Sequence, residues 1–346
     1  MIGLATSSLY FSNLLTCAKI FPQHKGLAIS LPITCYGLSA LLGSQLLKLD
    51  YFHMGREIYK DSPAVDVLSI SSSSDSLLNL VKVFKFFAIL YLIVGILSFI
   101  SSSIVIVEQD AIFANIEDMM ETAYNNENSS LLSNELTIQR SIDPPNHKQR
   151  YIKFLKDVSA WILLVSLILN TGPLESYQNN LSSIISLMNP NNKSIATVSS
   201  DLPNKVSLLA TSSTISRLVL GVSIDFLQSR KIGIVWLLVL IILMGALGQW
   251  FNNVALNGIA YGGLFTVYPT IIASVWGIDI MGSTWGSFMV APAIGSIAYS
   301  LFYGRIADSD KNGMIFYFQI TSFSLFISSI LVLVACRVWY RRGQFV

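Results

Sequence analysis

About nine runs of roughly 20 apolar residues divide this chain, and no other feature narrows its fold so far. A helix needs about that length to cross a hydrocarbon layer roughly 30 Å thick. The blocks fall at about 1–21, 26–47, 83–107, 158–178, 206–226, 232–250, 254–276, 282–303 and 314–337. Apolar residues make up 53% of the chain and charged residues only 12%, with a mean hydropathy of +0.59. A soluble domain carries about 25% charged residues. Lipid offers no partner to an exposed backbone N–H or C=O, so these blocks predict an all-α polytopic membrane protein.

The same composition sets other classes aside. A net charge of +2, with no basic stripe interleaved with aromatics, implies no nucleic-acid partner. Cys17, Cys35 and Cys336 lie in or beside apolar blocks, so no disulfide framework is readable. His24, His53 and His147 stand far apart without a Cys or His at ligand spacing, so neither a metal nor a cofactor is expected. Met1 opens directly into an apolar run and the first positive charge is Lys19, an order unlike that of a signal peptide.

Two polar stretches interrupt the blocks. Residues 108–157 include Asn125-Asn126-Glu127-Asn128-Ser129-Ser130 and Asp143-Pro144-Pro145-Asn146, a composition that predicts a flexible linker. It divides a three-helix segment, 1–107, from a six-helix segment, 158–346. A second insert, about 49–82, carries Ser71-Ser72-Ser73-Ser74. The fourth block is the weakest: Asn170-Thr171-Gly172-Pro173 predicts a break before Glu175, tolerable only against protein or a cavity.

Orientation follows from alternating sides. A cytosolic linker places Lys19, Lys25, Arg230, Lys231, Arg337, Arg341 and Arg342 on the cytosolic side, which then holds a narrow majority of the 22 Lys and Arg. Two glycosylation sequons, at Asn180 and Asn192, fall on the opposite, lumenal side, while the sequon at Asn128 is cytosolic and unused.

One local pattern is specific: Arg217-Leu-Val-Leu-Gly221-Val-Ser-Ile-Asp225-Phe-Leu-Gln-Ser-Arg230-Lys231. Gly221 permits close helix approach, Asp225 can accept hydrogen bonds from a neighbouring helix terminus, and Arg230-Lys231 marks the cytosolic face. The pattern resembles the Gly-x-x-x-Asp…Arg-Lys/Arg loop signature of the major facilitator superfamily. Two further stretches are similar to one fungal subgroup of that superfamily, the monocarboxylate-transporter homologues of the yeast vacuolar membrane, relatives of plant nodulin-like transporters. They are Thr16 to Gln45, with Pro22, His24, Lys25, Gly26, Pro32, Tyr36, Gly37 and Gly43, and Trp276 to Ser296, with Asp279, Gly282, Trp285, Gly286, Pro292 and Gly295.

The resemblance implies a secondary transporter, not an enzyme, that carries a small organic solute by alternating access across a vacuolar membrane, with the plasma membrane as alternative. Its partners would be membrane lipid and an unknown substrate, with proton coupling open. Aligned this way, the chain begins at the family's fourth helix and lacks the first three. Either coding sequence upstream supplies them or the chain is a truncation; a chain without them is expected to be unstable and inactive. A non-transporting sensor or scaffold with the same fold is the rival class.

Each candidate residue has two readings. Arg217 inside a membrane block costs about 2.5–3.5 kcal/mol on insertion scales, so it should face a cavity or a partner. The resemblance implies an anion contact; the structural alternative is a pair with Asp225, about two turns away. Glu175 is either a proton carrier or a water-facing carboxylate at a helix end. Tyr36, Gln45, Tyr268 and Trp285 either line a polar pathway or pack. Pro32, Pro269 and Pro292 mark bends used in rocking or tolerated kinks, and Gly37/Gly43 and Gly262/Gly263 read as packing contacts.

Overall fold

The computed structural model of the protein describes residues 2–21, 24–46, 49–52, 79–125, 147–188, 195–230, 232–307 and 311–342. Among these residues every regular element is helical. The helices are α1 (Ile2–Ile20), α2 (Lys25–Leu46), α3 (Leu80–Asn125), α4 (His147–Leu155), α5 (Val158–Asn179), α6 (Leu181–Met188) and α7 (Ile195–Ser229). They continue with α8 (Val235–Trp250), α9 (Val254–Trp276), α10 (Met281–Phe288), α11 (Val290–Ala307) and α12 (Lys311–Arg341). Among the described residues six stretches are long and apolar enough to cross a membrane: Leu80–Ser101, Val158–Asn179, Asn204–Ser229, Val254–Trp276, Met281–Ile306 and Asn312–Arg341. At 16 residues α8 is apolar but shorter, and α1 and α2 occupy the first two apolar blocks. The chain is an all-α polytopic membrane protein.

The helices form two compact units, Met1–Leu41 with Pro145–Val346 and, separately, Leu42–Pro144. In the second, Asn79 N donates to Phe52 O at 2.7 Å and Phe52 meets Phe86 edge to face. Outward-facing apolar side chains of α3, such as Phe99 at 74% exposure, form the surface that lipid tails solvate.

In the first unit small residues set the helix spacing. Between helices in lipid there is little hydrophobic driving force, so association relies on close packing and hydrogen bonds. Gly258 and Gly262, four apart, lay one stripe of α9 on α7: a Cβ at Gly262 would stand 2.2 Å from the Ser213 carbonyl oxygen. Ser216 Oγ, on the same face of α7, donates to Ile259 O at 2.8 Å. Gly172 of α5 and Gly295 of α11 meet likewise; a Cβ on Gly295 would lie 2.9 Å from Gly172 Cα.

Buried polar groups tie these helices together. Tyr268 on α9 accepts from Asn170 Nδ2 at 2.7 Å and shares a 2.6 Å hydrogen bond with Ser166, which bonds Ser328 of α12 at 2.8 Å. A second set joins Gln249 Nε2 to Asn257 Oδ1 at 2.9 Å and Thr321 Oγ1 to Gln249 Oε1 at 3.1 Å. At one end of the unit Asp157 caps α5, accepting from Ser159 N, Trp276 Nε1 and Arg342 Nη1. Arg150 of α4 pairs with Asp279 at 2.8 Å beside it.

Two local expectations change. The fourth block is not broken: α5 runs unbroken from Val158 to Asn179 with Pro173 inside. Proline has no N–H to offer the carbonyl four residues back, which here is Leu169. Ser324 Oγ of α12 donates to Leu169 O at 3.1 Å instead, and Ser324 is itself bonded to Tyr299, so the helix continues. The eighth block is two helices, α10 and α11, meeting at Met289 just before Pro292. Within the 108–157 stretch α3 extends to Asn125 and α4 occupies His147–Leu155, while residues 126–146 lie outside the described set.

Candidate functional site

The residue that organises the site is Arg217, 5% exposed and in the middle of α7. Its Nη1 donates to Ile33 O of α2 at 2.8 Å. Gly37 lies one turn further along α2, and a Cβ there would stand 2.4 Å from Nη1, so the missing side chain is the space through which the guanidinium passes. The α2–α7 crossing is fixed one and two turns away. A Cβ on Gly221 would fall 2.0 Å from Ser30 Oγ, and one on Gly26 would fall 2.4 Å from Gly221 O.

Asp225 completes this crossing and is not the partner of Arg217. Its Oδ1 accepts from Gly26 N at 2.7 Å and its Oδ2 from Leu27 N at 3.0 Å. The first amides of a helix have no intrahelical acceptor and carry the positive end of its dipole, so a carboxylate is stabilised there. Two turns of α7 separate Asp225 from Arg217, and the two side chains reach different parts of α2. Arg230 is exposed, its guanidinium over the Phe226 ring at 5.4 Å. Lys231 lies outside the described residues.

Arg217 lines a cavity of about 370 Å³ within the first unit. Thr6, Ser7, Tyr10 and Phe11 of α1 and Ile33 of α2 form one wall; Tyr261 and Phe265 of α9, with Met289 and Pro292 at the α10–α11 junction, form another. The remaining lining residue is Glu175 of α5, half-buried, its carboxyl facing the Ser296 hydroxyl. Near the end of α5, the Glu175 side chain is half-buried and lines the cavity. Glu175 makes no ion pair with Arg217, and the two ion pairs among the described residues are Arg150–Asp279 and Arg342–Asp157. One small, largely apolar cavity therefore holds a cation on one wall and a carboxylate on another.

Other candidates lie elsewhere. Tyr268 is fully buried in the α5–α9–α12 hydrogen-bond set, not in the cavity wall. Trp285 is fully buried on α10, edge to face with Phe265, so it backs a lining residue; its indole N–H finds no acceptor among the described residues. The Tyr36 and Gln45 side chains lie outside the described set, as does Asn192. Asn180 caps the end of α5, its Nδ2 donating to Ser176 O at 2.8 Å. The aromatic lining was not singled out from sequence. Its one signal is spacing: Tyr261 and Phe265, four apart, share the stripe of α9 that continues to Tyr268.

The water-facing end opposite Asn180 has its own electrostatics. Burial alone would push the Asp157 carboxyl up, but hydrogen bonds from Arg342, Ser159 and Trp276 outweigh it and hold the group below the usual aspartate range.

No protein-family profile matches the chain. It is 56% identical to "Probable transporter MCH1" of Candida albicans over 343 residues, 99% of this chain and 70% of that protein. The protein of the same name from Debaryomyces hansenii is 50% identical over 375 residues, covering 99% and 71%. That of Saccharomyces cerevisiae is 36% identical over 333 residues, covering 89% and 62%. Identity this high over nearly the whole chain, in a helical membrane bundle with a charged cavity, places the chain in the MCH1 family of probable transporters.

Proposed function

We propose that this protein is a secondary transporter of major-facilitator type that moves a small organic solute across the vacuolar membrane by alternating access. The observation that carries this reading is the cavity in which Arg217 and Glu175 face one space between membrane helices. Ionisable side chains inside a membrane are costly and are kept where they meet a substrate, an ion or water. Arg217 directs one of its guanidinium donors to Ile33 O, and a guanidinium is the side chain whose planar fork matches a carboxylate or similar anion. A proton gradient is the energy source such a membrane supplies.

In this reading α1 and α2, which resemble part of the family's first half, rock against the C-terminal helices about the cavity. The Asp225 carboxylate on the N-terminus of α2 holds one state of that contact and releases it in the other. The end carrying Asp157, Asp225 and Arg342 is cytosolic, and Asn180 is lumenal. The 1–107 segment, the 108–157 linker and the 158–346 bundle are its functional divisions.

The test is uptake into vacuolar vesicles from cells that produce the protein or its variants. Arg217→Lys keeps the charge but not the fork, so abundance should be normal while uptake falls roughly tenfold or more, the worth of a hydrogen bond to a charged group. Normal uptake in Arg217→Ala at normal abundance would remove Arg217 from the site, and absence of any uptake by the wild-type protein would leave the sensor or scaffold reading.

A further inference from the structure

We infer that α4 and the helix ends beside it form a docking surface for the headgroup phosphates of anionic membrane lipids. The inference goes beyond the transport site and does not depend on it. Residues 147–156 carry Lys148, Arg150, Lys153 and Lys156 and no acidic side chain. One face of α4 is fixed to the protein. Phe154, 3% exposed, packs edge to face on Trp276, and its ring centroid lies 6.0 Å from that of Phe288. Tyr151 shares a 2.8 Å hydrogen bond with Ser287, and Arg150 pairs with Asp279 at 2.8 Å. Positions 150, 151 and 154 share one side of a helix, so the opposite flank of α4 faces away from α10. Ile152, Lys153, Leu155 and Lys156 are exposed there.

The acidic side chains around α4 are already matched, Asp279 to Arg150 and Asp157 to Arg342. Among the described residues neither Lys153 nor Lys156 makes an ion pair, and Arg341 adds a third exposed cation at the end of α12. A lysine ammonium binds phosphate as a point charge, which demands no fixed fork and suits a mobile headgroup. The apolar neighbours set the depth. Trp161, in the first turn of α5 and 55% exposed, donates its indole N–H to Leu155 O at 2.9 Å. Tryptophan is enriched where headgroups meet acyl chains, so this contact puts Leu155 and Ile152 at the level where the chains begin. Val158, also exposed, extends the same apolar strip. Cations beside apolar side chains at that level are the pattern by which interfacial helices hold anionic lipid. A soluble anion would use the lysines and leave the apolar strip without a role; a lipid uses both.

Thermal melting of the purified full chain in neutral detergent, followed as lipid is added, tests this. Phosphatidylserine should stabilise the chain at a concentration roughly tenfold or more below that needed of phosphatidylcholine, since each basic residue near an anionic surface is worth about fivefold. The gap should narrow between about 0.1 M and about 1 M salt, as the screening length falls from roughly 10 Å to roughly 3 Å. Lys153→Gln combined with Lys156→Gln should close most of the gap at unchanged lipid-free melting temperature, because both side chains are exposed. Arg305→Gln, which removes an exposed cation at the other end of α11 from α10, should leave the gap as it is. Glycerophosphoserine, the same headgroup without acyl chains, should stabilise far less at equal concentration. Should the double variant fail to fold, the two single variants replace it, each closing part of the gap. Equal stabilisation by phosphatidylserine and phosphatidylcholine, or a gap that survives the lysine substitutions in a folded chain, would overturn the proposal. Equal stabilisation by phosphatidylserine and glycerophosphoserine would make this a soluble-anion site and overturn the lipid assignment.

Discussion

Polar side chains occupy two places in the membrane part of this protein, and they behave differently in each. In the α5–α9–α12 core, Ser166, Asn170, Tyr268 and Ser328 hydrogen-bond to one another across three helices. Around the cavity, Arg217 and Glu175 bring opposite charges to one space without pairing. The first arrangement is how helices adhere in a medium where apolar contact alone does little. The second turns ionisable side chains toward a space between helices. The presence of a polar residue in a membrane helix therefore does not mark a site; what it faces does.

The sharpest way to break that contrast is to move Arg217 without touching it. In Gly37→Ala the new methyl would fall 2.4 Å from Nη1, the far end of a long side chain that can give way. The helices should still pack, so abundance and melting temperature should stay close to wild type. The guanidinium, however, loses its place between Ile33 O and the cavity. Transport or binding should drop roughly tenfold or more, on the scale of a hydrogen bond to a charged group. Wild-type activity in this variant would show that Arg217 needs no fixed position.

A core substitution should do the reverse. Tyr268→Phe removes the hydroxyl that bonds Ser166 and accepts from Asn170 Nδ2, leaving both partners buried. Such bonds average about 0.6 kcal/mol in membrane helices and reach about 1.7. A loss of about 1–2 kcal/mol in stability, with ligand preference unchanged, is expected from denaturation and binding measured on the same preparation. A changed ligand preference would put Tyr268 in the site after all.

Much of this architecture is legible in the sequence, and the gaps have physical causes. Block length and composition locate the helices, because the bilayer sets the same requirement for each. The Gly221…Asp225 spacing also announces a close helix crossing with an acceptor beside it, and Asp225 does sit on the α2 N-terminus. What misleads is any feature whose meaning depends on another helix. Pro173 reads as a break until Ser324, far along the chain, supplies the donor that Leu169 O lacks. The pairing of Arg217 with Asp225 is reasonable on one helix, yet α2 offers each a nearer partner. The lining aromatics carry no signal beyond the four-residue spacing of Tyr261 and Phe265, since a tyrosine in the core and a tyrosine at the cavity look alike one residue at a time.

The smallest expected effect lies outside both places, at the water-facing end, and measures what the core and cavity do not contribute. Asp157 joins the start of α5 to the ends of α9 and α12 through Ser159, Trp276 and Arg342. Its carboxyl is held below the usual aspartate value, near 3.9 when unfolded, so the ionised form is the one the folded state favours. Its stabilising contribution is therefore full above that value and is lost as pH falls through the lower, folded-state value. Asp157→Asn removes the charge at every pH. At neutral pH it should melt a few degrees below wild type, about what a 1 kcal/mol change produces in a chain of this size. The two melting curves should then converge as pH drops below about 4, because wild type loses there what the variant never had. A constant gap between them down to pH 3 would mean that the Asp157 hydrogen bonds hold through shape alone and that its charge is irrelevant to the joint.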